Sequence, residues 1–87
     1  MVSQMERYVR NKILILLKEH GEKTKLPITD VDLSDELDIP WREVMDQLEI
    51  LKNEGMVTIL SNNKYGRYVE ITSLGKKHLE DDMITLL

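Results

Sequence analysis

The chain has no cysteine, and only 12 of its 87 residues are Lys or Arg. Without cysteine there is neither a disulfide framework nor a thiolate metal site, and a reducing, cytoplasmic compartment is the default. Also missing are a charged-then-apolar leader and any run of about 20 apolar residues, so neither export nor a membrane partner is expected. No Gly-rich phosphate loop, no nucleophile beside a base and no paired carboxylates in an apolar setting can be assembled, so the reading is not an enzyme. His20 and His78 lack a second ligand at helical or hairpin spacing, and no metal or cofactor is implied.

The shortage of base bears on partners. Sixteen Asp and Glu give a formal net charge of -4, whereas nucleic-acid modules are usually basic, with a domain pI often above about 9. Local clusters matter more than the total, because steering depends on them. Residues 1–20 hold Arg7, Arg10, Lys12 and Lys18 against Glu6 and Glu19, an excess of base. Residues 21–54 are acidic, and Lys64 and Arg67 outnumber Glu70 in the segment that follows. Acid is concentrated in the middle of the chain and base at its periphery.

Residues 1–87 read as a single domain, which at this size buries only about 60% of the surface its unfolded chain exposes. From Ser3 to His20, Met5, Val9, Ile13, Leu16 and Leu17 recur at intervals of three and four, the mark of a first helix, which Gly21 is expected to end. Pro27 biases Leu26 away from helix, giving a loop and a short strand. Thr29 with Asp32 resembles a capping box opening a second helix over about Asp30 to Leu37, with Leu33 and Leu37 inward. Pro40 then starts a third helix, to about Glu54. With Val44 at zero and about 100° per residue, Leu48, Leu51 and Gly55 lie within roughly 40° of it. Arg42, Asp46, Glu49 and Asn53 fall on the opposite side, at roughly 140° to 200°. "MVTIL" and "RYVEIT" alternate as strands joined by "SNNKYG", and Thr72 or Ser73 caps a last helix carrying Leu74, Leu79 and Met83.

This order, and the run "LSDELDIPWREVMDQLEILKNEGMV" with its Gly55-Met56-Val57 exit, resembles the helix-turn-helix of small transcriptional regulators. "ITSLGKKHL" is similar to the segment that follows the wing in MarR-like and PadR-like proteins. The resemblance implies an α+β, mostly α fold: a winged helix-turn-helix, three-helix core with a two- or three-stranded β-wing and a C-terminal helix. Asp38 stands where such proteins most often have Gly in the turn, and Asp is among the few residues that enter left-handed space with modest strain.

The resemblance implies a DNA-binding transcriptional regulator, with the recognition helix, about 40–54, in the major groove and the wing, about 61–67, on the backbone or minor groove. Position by position, the groove-facing residues become Arg42, Asp46, Glu49 and Asn53, with Trp41, Met45 and Gln47 near the edges. Lys64, Tyr65 and Arg67 sit at the wing, and Arg7 and Arg10 add charge at the start of helix 1. Arg42 suits guanine and Gln47 or Asn53 adenine, while a carboxylate can accept from cytosine. Carboxylates near phosphate add repulsion, so this face needs the wing and a second protomer to bind duplex. A homodimer through helix 1 and the C-terminal helix would supply that protomer.

Two blander readings stay open. The four outward residues can be a solvated face, with Arg42 and Asp46 paired four apart, and Trp41 reads as a partly buried packing residue more readily than a stacking one. Alternatively the fold is a protein-protein interaction module that docks a partner through its acidic recognition face, or through Met45 and Ile50, without binding DNA.

Overall fold

The computed structural model describes residues 4–63 and 66–86, with side chains for residues 6–60 and 66–81. Seven elements follow in the expected order: α1 (Gln4–Thr24), β1 (Ile28–Thr29), α2 (Asp30–Leu37), α3 (Trp41–Asn53), β2 (Val57–Asn63), β3 (Gly66–Ile71) and α4 (Ser73–Leu86). The sheet is antiparallel with order β1-β3-β2, so β3 is central. No helix among the described residues is long and apolar enough to cross a membrane.

α1 buries Val9, Ile13, Leu14 and Leu17. It does not stop at Gly21. Glycine weakens a helix interior by about 1 kcal/mol relative to alanine without breaking it, and the left-handed residue that ends α1 is Lys25, at φ 58. Its N–H donates to the Gly21 carbonyl at 2.9 Å. Thr24 secures the exit, donating its hydroxyl to the His20 carbonyl at 2.9 Å and accepting the Leu26 N–H at 3.1 Å.

β1 is only two residues long, but it ties the α1–α2 connection to the sheet through Ile28 opposite Val69 and Thr29 opposite Tyr68. Thr29 then caps α2 as its sequence suggests, accepting the Asp32 N–H at 3.1 Å. At the other end Asp38 is left-handed, φ 54 and ψ 45, with its N–H on the Ser34 carbonyl. Ser34 also donates its hydroxyl to the Ile39 carbonyl at 2.6 Å, which holds the turn into α3.

The first turn of α3 is closed by the Pro40 carbonyl, which accepts from Glu43 and Val44 at 3.0 and 3.1 Å. Its end is a Schellman arrangement: Met56 N–H to Leu51 carbonyl at 2.9 Å and Gly55 N–H to Lys52 carbonyl at 3.0 Å, with Gly55 at φ 79. Val44, Leu48 and Leu51 join Leu33, the α1 stripe, Ile28, Val57, Val69 and Leu79 in one core.

The wing strands run further than their apolar alternation implied, through Asn63 on one side and from Gly66 on the other. Register shifts between Ile59 and Ser61, leaving Leu60 as an unpaired, exposed bulge residue. Thr72, rather than Ser73, caps α4: its Oγ1 accepts the Gly75 N–H at 3.1 Å while donating to the Gly55 carbonyl at 2.7 Å. One hydroxyl thus joins the start of α4 to the end of α3. Gly75 is the next contact, because a Cβ there would overlap the Met56 carbonyl oxygen and lie 2.7 Å from Ile71 Cγ1. Only a glycine lets α4 lie this close to the wing. Leu79 is in the core as expected, but Leu74 is 52% exposed, and the Met83 side chain lies outside the described residues.

Candidate nucleic-acid interface

α3 turns its apolar stripe inward and leaves Arg42, Asp46, Glu49 and Asn53 exposed on one outer face. No ion pair among the described residues joins Arg42 to Asp46, so the arginine fork is open to solvent. Glu49 is engaged instead by the wing: Arg67 Nη1 lies 3.7 Å from its Oε1. Both side chains are partly exposed, and such a pair contributes at most about 1 kcal/mol to stability. Its larger effect is on shape, because it lays the loop end of β3 beside the outer face of α3.

Gln47 is a correction. The sequence places it among the groove-edge residues, but it is 3% exposed and its Oε1 accepts no hydrogen bond among the described residues. The physical reason is angular: three residues after Val44, it lies roughly 60° from the centre of the core stripe, on the flank away from the outer face. Arg10 is partly withdrawn as well, since its Nη1 lies 3.6 Å from Glu54 Oε1 at the end of α3. Arg7 stays exposed. Lys64 and Tyr65, expected at the wing tip, lie outside the described residues.

Trp41 is not a packing residue in the ordinary sense. It is 51% exposed and held by its polar edge, the indole N–H donating to Asp30 Oδ2 at 3.0 Å. Asp30 itself escaped sequence reasoning, which used it only to mark the start of α2. It is 1% exposed, and its Oδ1 accepts the backbone N–H groups of Val31 at 2.9 Å and Arg67 at 3.0 Å. Its partners Trp41 and Arg67 are 11 and 37 residues away, distances over which no local pattern signals contact. Met45 and Ile50 are half-buried at the margins of α3.

No protein-family model matches the chain. No curated protein matches it either. Solved structures do. A MepR variant of S. aureus superposes with a TM-score of 0.75 at 15% identity, over 98% of this chain and 58% of that one. FabT of Streptococcus pneumoniae in complex with DNA gives 0.65 at 16% identity, over 97% and 54%. A MarR family regulator from Neisseria meningitidis gives 0.61 at 15%, over 87% and 53%. The chain spans little more than half the length of these proteins. At such identities the likeness establishes architecture: the chain has a winged helix-turn-helix fold resembling that of MarR-like regulators.

Proposed function

We propose that the protein is a sequence-specific DNA-binding transcriptional regulator that acts as a dimer, with α3 in the major groove and the β2–β3 wing on the backbone or minor groove. The observation that carries the reading is the placement of Arg67 against Glu49: wing and outer helix face form one surface, with Arg42, Asp46 and Asn53 on it. Trp41 stands half-exposed at the edge of the same surface. FabT, a protein of this fold, was solved with DNA, which supports a duplex as the partner.

The surface is poor in positive charge, so the phosphate attraction falls on Arg42, Lys64 and Arg67, with Arg7 at the start of α1. A dimer doubles that number over two half-sites. Tyr8 and Ile15, seven residues apart and exposed on α1, are offered with the C-terminal helix as its interface.

Fluorescence anisotropy of a labelled mixed-sequence duplex, at low and near-physiological salt, tests this with oligomeric state measured on the same sample. A dimer whose log affinity falls linearly with log salt is expected, and Lys64→Ala with Arg67→Ala should flatten the slope by about 0.9 for each phosphate contact removed. Absence of duplex binding at low salt would overturn the reading and turn attention to a protein partner for the acidic face.

A further inference from the structure

We infer that Asp30 is a positioning residue for the duplex-binding surface, its carboxylate locking the loop end of the wing to the first turn of the recognition helix. The inference rests on the proposed function and adds to it a residue that touches no DNA.

The geometry is a three-way junction. Asp30 opens α2, and its two oxygens take one N–H from its own helix, one from the indole of Trp41 at the start of α3, and one from the backbone of Arg67 in β3. A carboxylate buried to this degree is costly unless hydrogen bonds replace its water, so the three donors hold one another in place. The chain of the wing passes directly over it. A Cβ at Gly66 would lie 2.5 Å from Asp30 Oδ1, and Gly66 is at φ 113, a conformation that residues with a side chain rarely adopt. Arg67 is then fixed twice, by its backbone to Asp30 and by its guanidinium to Glu49, so the loop end of the wing is fastened to the beginning and the middle of α3.

Reading a groove requires helix and wing to meet the duplex together. If their spacing is set before binding, ordering them costs nothing at the moment of contact; if the wing swings free, that cost is deducted from affinity. The number of phosphates contacted does not change. Loss of the junction therefore weakens binding at every salt concentration and leaves the salt slope where it was.

Asp30→Asn is the test: it keeps one acceptor oxygen but sets an amide N–H against the indole N–H. Amide exchange followed by NMR on the free protein, where circular dichroism shows both chains folded, compares Arg67 with Leu48 and Leu51 in the core of α3. The expected result is exchange about tenfold or more faster at Arg67, because its acceptor loses its charge and the side-chain amide is pushed off by the indole, with Leu48 and Leu51 at wild-type rates. Duplex Kd should rise by about the same factor at an unchanged salt slope. Adding Trp41→Phe removes the opposed donor and should restore part of the Arg67 protection. Should Asp30→Asn not fold, Trp41→Phe alone is read the same way, with a factor of about three. Wild-type exchange at Arg67, acceleration shared equally with Leu48 and Leu51, or a loosened Arg67 with unchanged Kd each overturns the inference. A wild-type chain that binds no duplex sinks the proposed function instead, while the exchange data still decide whether Asp30 holds the wing.

Discussion

Gln47→Met should stabilise the protein without weakening its binding to duplex. Gln47 is 3% exposed between core positions of α3, and its Oε1 accepts no hydrogen bond among the described residues. An unsatisfied buried polar group costs about 1–3 kcal/mol. Methionine has nearly the same length, an equal helix propensity and enough flexibility to fill the same space, so the repacking penalty stays below about 1.5 kcal/mol. The expected balance is a gain of about 1 kcal/mol, which in a domain of this size raises Tm by about 4–8 °C. Thermal and urea unfolding followed by circular dichroism would measure it, with the urea m-value unchanged because the buried area is unchanged. Anisotropy on the same sample would show wild-type affinity, because the residue faces away from the proposed duplex-binding surface. A fall in Tm would mean that the Gln47 amide makes bonds in solution that outweigh its burial. A rise in Tm with lost affinity would return Gln47 to the interface and refute the placement of α3.

Three further substitutions probe other joints. Gly75→Ala should destabilise by about 2 kcal/mol, since its Cβ would overlap the Met56 carbonyl oxygen and force α4 away from the wing; an unmoved urea midpoint would contradict that packing. Lys25→Gly should stabilise by up to about 1 kcal/mol by relieving the left-handed backbone at φ 58, and a lower midpoint would count against this α1 exit. Glu49→Gln removes one carboxylate from the outer face and releases the Arg67 guanidinium, so duplex affinity at low salt should rise about fivefold with a steeper salt slope. Equal or weaker binding by that variant would show that Glu49 assists recognition, for instance as an acceptor from cytosine.

What the sequence disclosed and what it hid divide along the range of the interactions. Thr29, Asp38 and Gly55 act through partners within five residues, and Val44, Leu48 and Leu51 through the period of a single helix. Such features can be read from spacing alone. Gln47 shows where spacing loses resolution: at the flank of a stripe, roughly 60° from its centre, a polar residue is buried or exposed according to what packs beside it. Gly21 misled because glycine marks helix ends only by preference, and here Thr24 and Lys25 supply the exit one turn later. The Asp30 junction was invisible because it joins three elements, and its acid was already accounted for by the ordinary preference for negative charge at a helix start. Of the expected outer face, Arg42, Asp46, Glu49 and Asn53 are exposed together; the pairing of Glu49 with Arg67 of the wing was not foreseen.

The bulge at Leu60 has a bearing on how copies of this chain meet. With the order β1-β3-β2, the outer side of β2 has no strand beside it among the described residues, and an unpaired edge of seven residues is a template for the same edge on another molecule. The extra residue divides that edge into Val57–Ile59 and 61–63, and bends the strand between them. Neither half is long or flat enough to extend a ladder across two molecules. The irregularity at Leu60 thus works against the wings of separate copies fusing into one continuous sheet.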